Sequence, residues 1–151
     1  MKIAAIIESM NVSQNMFYMT KCFNKMLNDD ISPTCFYLNL SSLTSWPLFS
    51  YQNVSYASGF FDGVMIATSI DTAKILNKIN TNAHKYLYLW DLEWLRSPQN
   101  YLENIELLNS MDIISRSTSH YSNIENYCGK QSIIIEDWDY KSIKELLWNN
   151  K

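Results

Sequence analysis

The sequence predicts an α/β fold: a three-layer Rossmann-like sandwich with a mainly parallel sheet of five or six strands. Short apolar runs nearly bare of charge alternate with segments of roughly ten to sixteen residues that show helical periodicity. Such intervening helices are the crossovers that parallel strands require. No internal repeat or linker divides the 151 residues, so we expect one domain spanning 1–151.

The first half of the chain contains three strand candidates and one clear helix. An apolar run from Lys2 to Glu8 predicts the first strand, and apolar residues at helical spacing predict a helix over Ser13 to Asn28. Thr34 to Asn39 and Asp62 to Thr68 are the next two strand candidates. Residues 40–61 keep no sustained period and are expected to form a long, partly ordered connection.

The second half contains three further strand candidates. Aromatic and aliphatic residues alternate in the first of them, so both of its faces are apolar, as in a parallel strand covered by helices on each side. The three candidates are Lys85 to Asp91, Met111 to Arg116 and Ser132 to Glu136.

Four helices are expected between and after these strands. Ser69 can cap the first of them, and Ser97 with Pro98 starts the second, whose buried stripe would be Leu102, Ile105 and Leu108. The other two run from Thr118 to a Gly129 terminator and onward from an Asp139 cap.

The predicted core lies in the charge-free strand centres. Its cysteines, Cys22, Cys35 and Cys128, are odd in number and lack metal-ligand or disulfide spacing, so buried free thiols are expected. The strand positions expected to be buried are Ile6, Ile7, Ile66, Leu87, Leu89, Ile113 and Ile134.

Charge and hydropathy exclude several classes of partner. The formal net charge is −3 and basic residues are scattered, which argues against nucleic acid and against an anionic membrane surface. No apolar run reaches the roughly 18 residues of a membrane span. A soluble, cytoplasmic protein is therefore expected.

In an open parallel sheet, ligands bind beyond the carboxyl ends of the strands. The residues after the first strand, 8–14, contain no glycine, so no phosphate-cradling loop of a dinucleotide or P-loop enzyme can form there. We therefore expect no cofactor. Asn11 or Ser13 should cap the following helix, the alternative being contact with a ligand.

The densest group of polar and aromatic residues is expected where the strand Lys85 to Asp91 ends. A carboxylate such as Asp91 or Glu93 could act as a general base on a hydroxyl, and Trp94 could stack on a sugar or a nucleobase beside Arg96. The alternative is that the tryptophans belong to the core and that Glu93 and Arg96 form a solvated pair.

Ser117 and His120 form a second candidate group, at the end of the next strand and the start of a helix. His120 is a better site candidate than His84 and could be an acid or base there, but a loop histidine without function is the preferred interpretation. No metal-ligand spacing stands out. The acidic pair and lysine of a phosphorylation receiver domain are missing too.

Four segments together resemble the N-terminal, acceptor-side half of GT-B glycosyltransferases. They are Lys2 to Ile7, Asp62 to Ala67, Tyr86 to Asp91, and Met111 to Ser117. In that family such segments are strands that meet the cleft between two domains. The run Met111 to Cys128 also resembles the family pattern of an Asp, two aliphatic residues, small polar residues and a short helix.

The resemblance implies an acceptor-side domain that works with a separate donor-binding chain or has lost transfer activity, because no donor-binding half follows residue 139. Asp91 would be the base or acceptor contact, with Glu93, Ser117 and His120 beside it, and the acceptor a sugar or other hydroxyl compound. The alternative is a noncatalytic α/β module that presents a protein-binding surface. In either case we expect a homodimer or a protein partner at 90–96, with Trp94 and Trp46 exposed.

Overall fold

The computed structural model of the protein describes residues 1–40, 47–60, 62–96 and 98–150, and leaves the side chains of Arg96 and Pro98 undescribed. Within these ranges the chain forms one seven-stranded sheet in which every pairing is parallel. The strands are β1 (Lys2–Ser9), β2 (Ser32–Asn39), β3 (Ser50–Asn53), β4 (Val64–Ala67), β5 (His84–Leu89), β6 (Asp112–Ser115) and β7 (Ile133–Ile134).

The spatial order of the strands is β3-β2-β1-β4-β5-β6-β7. The chain therefore builds outward from β1 in one direction as far as β3, and then returns to place β4 on the other side of β1. This reversal between β1 and β4 is the topological switch point, where the connections leave a crevice at the carboxyl ends of the strands.

Helices cover both faces of the sheet. They are α1 (Gln14–Met26), α2 (Ile70–Lys78), α3 (Tyr101–Asn109), α4 (Thr118–Cys128) and α5 (Tyr140–Asn149). One apolar cluster joins β1, β5 and other strands to α1 and α5, and a second joins the opposite face of the sheet to α2, α3 and α4. The predicted three-layer Rossmann-like sandwich is confirmed.

Successive side chains of β5 pack into the helical layers on opposite faces of the sheet. Tyr86 and Tyr88 lie in the cluster of α1 and α5, whereas Leu87 and Leu89 lie in the cluster of α2, α3 and α4. Successive side chains of a strand point to opposite faces, so a strand buried on both sides carries apolar residues at every position.

The strand count of five or six was wrong, because β3 lies in the stretch 40–61 that was expected to be a long, partly ordered connection. β3 has the sequence Ser-Tyr-Gln-Asn and forms one edge of the sheet, where its residues are largely exposed. A polar edge strand has no apolar alternation by which the sequence could reveal it.

Six of the seven predicted core positions are buried, and Ile134 is the exception at 42% exposed. Ile134 belongs to β7, which has only two residues and lies at the other edge of the sheet. The buried residue of this segment is the next one, Ile135, which is 1% exposed. Cys22 and Cys35 are buried free thiols as expected, while Cys128 is only half-buried.

The stripe predicted for α3 is confirmed at Leu108, whereas Ile105 is only half-buried and the expectation for Leu102 was wrong. A short 3-10 helix occupies Pro98–Asn100 and the α-helix begins at Tyr101. The buried face consists of Asn104, Leu107 and Leu108, and Leu102 is exposed. The proposed cap Ser97 lies outside the described residues.

No helix in the described part of the chain is long and apolar enough to cross a lipid bilayer.

Candidate functional site

A crevice of about 360 Å³ opens at the switch point between β1 and β4. We call it the switch-point crevice. Its walls are the last residues of β1 and the residues that follow β1, β4 and β5, together with the first turn of α1. The described lining residues are Ile7, Glu8, Ser9, Asn11, Ser13, Gln14, Asn15, Met16, Thr68, Ser69, Trp90, Asp91 and Glu93.

Glu93 is the carboxylate most firmly held in this crevice. It begins the 3-10 helix Glu93–Arg96 after β5 and is partly buried. Its Oε2 atom accepts a hydrogen bond of 3.0 Å from the backbone N–H of Ile70, in the first turn of α2. The first amides of a helix have no hydrogen-bond acceptor within the helix. The Glu93 carboxylate, from another segment of the chain, is the acceptor for the Ile70 amide.

The start of α2 is ordered by its own side chains as well. The Ser69 hydroxyl accepts from the Thr72 amide at 3.2 Å and the Thr72 hydroxyl accepts from the Ser69 amide at 2.9 Å, a reciprocal capping box. Thr68 ties this turn to β1, because its hydroxyl donates to the Ile6 carbonyl at 3.0 Å. The wall that holds Glu93 is therefore anchored to the sheet.

Burial raises the pKa of Glu93 from its ordinary value of 4.5 to about 7. The hydrogen bond from Ile70 lowers the pKa, and the nearby carboxylates of Glu8, Asp71 and Asp91 raise it further. A carboxyl group with a pKa near the operating pH can both take up and release a proton, which is the requirement for a general base.

Asp91 and Asn11, both predicted to be site residues, line the same crevice with exposed side chains. Ser13 lines it too, and its hydroxyl accepts a hydrogen bond of 3.2 Å from the Met16 amide and caps α1. The capping interpretation is therefore confirmed for Ser13. The structure brings Asp91 and Glu93 into one crevice, with Glu93 the more buried of the two.

Trp94 is not placed to stack on a ligand. It is 4% exposed, belongs to the cluster of α2, α3 and α4, and stacks on the Tyr127 ring with 4.7 Å between ring centroids. Trp90 is 7% exposed. The alternative in which both tryptophans belong to the core is confirmed, and the expectation that Trp94 faces solvent was wrong. The Arg96 side chain and Trp46 lie outside the described residues.

Ser117 and His120 lie in a different cleft. This cleft of about 320 Å³ is lined by Arg116, Ser117, His120, Glu136 and Asp137, and we call it the Arg116 cleft. The Ser117 hydroxyl caps α4 by accepting from the His120 amide at 3.2 Å. Neither residue is among the described lining of the switch-point crevice, so the predicted site is divided between two clefts.

The side chain of Arg116 lies against the ring of Trp90, which lines the switch-point crevice. The guanidinium carbon is 3.9 Å from the centroid of the Trp90 ring, and Nε donates to the Asp137 carboxylate at 3.0 Å. Arg116 is therefore held by a cation–π contact and an ion pair together. Arg116 lines the Arg116 cleft and Trp90 lines the switch-point crevice, so the contact between them connects the walls of the two clefts.

Sequence reasoning missed the buried hydrogen bonds behind the crevice. The Tyr88 hydroxyl donates to the Ile135 carbonyl at 2.6 Å and accepts from the Trp138 amide at 3.3 Å. The Trp138 indole donates to the Asn15 side chain at 2.7 Å, and Asn15 lines the crevice. Their separation in sequence, up to 123 residues, leaves no local pattern that could have revealed them.

Among the residues that the structure describes, no group of three or more His, Cys, Asp or Glu side chains is arranged to hold a metal ion. The polar groups of the switch-point crevice suit hydrogen bonding, since its lining includes hydroxyls, amides and carboxylates. A crevice of this size accommodates a small molecule.

Comparison of the sequence with models of protein families and with curated proteins found no match.

Proposed function

We propose that the protein is a glycosyltransferase-like acceptor domain that binds a hydroxylated acceptor in the switch-point crevice and acts with a separate donor-binding chain. The observation that carries the proposal is the placement of Glu93. Its carboxyl group lies at the switch point of a parallel sheet, is fixed by Ile70, and has a pKa of about 7. Asp91, our first candidate for the base from sequence, becomes an acceptor contact.

In the proposed step, the Glu93 carboxylate takes the proton of an acceptor hydroxyl. The oxygen of that hydroxyl forms a bond to the anomeric carbon of the donor sugar, and the bond from that carbon to the nucleotide breaks. The nucleotide leaves with the electron pair, and the proton stays on Glu93 until it passes to solvent. Removal of the proton by a positioned base contributes typically 10²- to 10⁴-fold to such a rate.

The donor must be held elsewhere. The segment after β1 contains no glycine, and no lysine, arginine or histidine is among the described residues of the crevice. A nucleotide-sugar brings two or more phosphate charges, and the carboxylates of Glu8, Asp91 and Glu93 would repel them. We therefore expect the chain alone to bind nucleotide-sugars weakly or not at all.

Titration of ¹⁵N-labelled protein with monosaccharides and disaccharides tests the acceptor site. We expect amide shifts confined to the crevice segments, namely 8–16, 68–70 and 90–93. Glu93→Gln should still bind, because a glutamine oxygen can accept the hydrogen bond from Ile70. Absence of any shift at saturating sugar, or shifts confined to residues outside the crevice, would contradict the acceptor site.

Calorimetric titration with a panel of nucleotide-sugars tests the other half of the proposal. Micromolar binding of any one of them to this chain alone would show that it does not need a separate donor-binding chain.

Three exposed apolar side chains near the start of α3 favour the alternative function, a noncatalytic module that presents a protein-binding surface. Leu95, in the 3-10 helix after β5, is 68% exposed, and Tyr101 and Leu102, the first two residues of α3, are 49% and 75% exposed. A patch formed by such side chains would mark an interaction surface. This patch, and not Trp94, would form the contact near 90–96.

Light scattering of the double variant Leu95→Ser, Leu102→Ser tests the patch as a homodimer interface. A dimer that becomes monomeric in this variant supports the alternative. The control is Val12→Ser, which removes an equally exposed side chain, 73%, from the loop after β1. A wild-type chain that is monomeric at high concentration would contradict the homodimer.

A further inference from the structure

We propose that Asn15 is a specificity-determining residue of the switch-point crevice: its side-chain NH2 group donates a hydrogen bond to one hydroxyl oxygen of the acceptor, and Trp138 holds it in that orientation. The inference rests on the proposed function, since it concerns the ligand of the same crevice. It follows from the hydrogen bond between the two residues and from the backbone conformation of the turn that carries Trp138.

The hydrogen bond from Trp138 determines which way the Asn15 amide faces. The Trp138 Nε1 atom donates to Oδ1 of Asn15 at 2.7 Å. An indole N–H can only donate, so the atom that it meets must be the amide oxygen and not the NH2 group. Rotation of the amide to exchange its two ends would break this bond. The NH2 group is therefore turned away from Trp138.

The NH2 group of Asn15 is available to a ligand. In the described part of the chain it donates to no other residue, and it is not one of the buried polar atoms that lack a hydrogen bond, so it is open to solvent. Asn15 is the second residue of α1, is half-buried and lines the crevice. A few polar groups fixed in this way are what orient and select the ligand of a small-molecule site.

Trp138 is held by the core. It is 1% exposed and packs against the rings of Phe23 and Tyr88, with 5.9 Å and 4.7 Å between ring centroids. Its backbone N–H donates to the Tyr88 hydroxyl at 3.3 Å, and that hydroxyl donates to the Ile135 carbonyl at 2.6 Å. The orientation of Asn15 is therefore imposed by a buried side chain with several fixed contacts.

The turn that carries Trp138 provides a second observation. Asp137 and Trp138 have φ values of 44° and 55°, in the left-handed region that bulky residues rarely adopt. Such conformations persist only where the surrounding contacts hold them, and they cluster at functional sites. The conformation of Trp138 lets its indole reach Asn15, which is 123 residues away in sequence.

A fixed NH2 group selects a ligand by the position of an acceptor oxygen. A sugar hydroxyl can accept this hydrogen bond and still donate its own proton to another group of the crevice. A sugar that lacks the hydroxyl at that position leaves the NH2 group unpaired, and a site built for a hydroxyl rejects the analogue without it. We therefore expect one ring hydroxyl of the acceptor to be recognised by Asn15.

Titration of ¹⁵N-labelled protein with glucose, galactose and mannose, and with the monodeoxy analogues of the sugar that binds most tightly, tests the inference. We expect at least one deoxy analogue to bind the wild type about three- to tenfold more weakly than its parent sugar. The side-chain NH2 resonance of Asn15, identified by its absence from Asn15→Ala, should shift when the parent sugar binds.

Two variants assign the discrimination to this pair. Asn15→Ala should bind the parent sugar about three- to tenfold more weakly and should no longer discriminate against that deoxy analogue. Trp138→Phe keeps a buried ring but removes the indole donor, and should lose part of the same discrimination because the Asn15 amide is then free to rotate. The control is Asn109→Ala, which removes an exposed amide at the end of α3 outside the described crevice lining and should change neither affinity.

The contradicting outcomes are distinguishable. If Asn15→Ala keeps the wild-type ratio of affinities for the parent sugar and every deoxy analogue, Asn15 does not contact the ligand, and the acceptor site stands without it. If only Trp138→Phe keeps the full discrimination, the indole does not set the orientation of Asn15. Absence of binding by all three parent sugars would overturn the acceptor site itself, and the role of Asn15 with it.

Discussion

The Glu93 carboxylate accepts a hydrogen bond of 3.0 Å from the backbone amide of Ile70, and so joins the segment after β5 to the first turn of α2. The two segments come from neighbouring strands on one side of the switch point. This bond fixes a partly buried carboxyl group in the crevice.

The pH dependence of stability should report Glu93. In the unfolded chain it ionises near its ordinary 4.5, and in the folded protein near 7, so between these values the folded state binds more protons. Stability contributed by this group is fully present below pH 4.5 and is lost as the pH rises through about 7. Glu93→Gln should therefore gain stability relative to the wild type over that interval, as measured by urea unfolding.

The control for this prediction is Glu145→Gln, an exposed position on α5. Its unfolding free energy should stay parallel to that of the wild type across the same pH range. If the Glu93→Gln curve also stays parallel, burial of Glu93 does not perturb its ionisation.

Trp94 and Leu95 should separate core packing from surface exposure. Trp94→Ala should cost about 3–5 kcal/mol, because it leaves a cavity and removes the stack on Tyr127. Leu95→Ala, at a neighbouring position that is 68% exposed, should change stability by no more than about 0.5 kcal/mol. Both are measured by urea unfolding, and equal costs would show that Trp94 is not core.

Gly63 and Gly59 form a matched pair for backbone conformation. Gly63 has a φ of 95°, and a Cβ atom there would collide with the Lys2 carbonyl oxygen of β1. A Cβ atom at Gly59 would meet nothing within 4 Å beyond its own chain neighbours, and the φ of Gly59 is not left-handed. Gly63→Ala should therefore cost on the order of 1–3 kcal/mol, while Gly59→Ala should be nearly neutral. Thermal unfolding that ranks them the other way would contradict the turn before β4.

Tyr88 should matter through its hydroxyl. Tyr88→Phe keeps the ring but leaves the Ile135 carbonyl and the Trp138 amide without their buried partner, at a cost of about 1–3 kcal/mol. The control is Tyr86→Phe, whose hydroxyl accepts from the side chain of Asn150 near the end of α5. Urea unfolding should show the larger loss for Tyr88→Phe, and a neutral result would contradict the buried bridge.

Most of the sheet could be predicted from the sequence because its central strands are buried on both faces. β4 is apolar throughout and β1, β5 and β6 contain apolar runs, and six of the seven core residues named from these strands and β7 are buried. The two edge strands carry no such signal. β3 is polar, so no apolar pattern predicts it. β7 has two residues, and burial was predicted for Ile134 although the buried residue is Ile135.

The location of the site could be predicted, but its chemistry only in part. The rule that ligands meet the carboxyl ends of parallel strands led to Asn11, Asp91 and Glu93, all of which line the crevice. Which carboxylate is buried depends on the 3-10 helix Glu93–Arg96, which turns Glu93 toward Ile70 and leaves Asp91 exposed. Nothing in the spacing of the two acids distinguishes them.

Titration of the glutamate side-chain carboxyl groups by ¹³C NMR, with Glu93→Gln to assign the resonance, tests most directly whether Glu93 can serve as the base of the crevice. The account predicts one glutamate resonance, absent from the variant, that titrates with a pKa of about 7. Titration of that resonance near 4.5 would contradict the account, because the carboxyl group would then be neither withdrawn from solvent nor matched to a proton transfer near neutral pH.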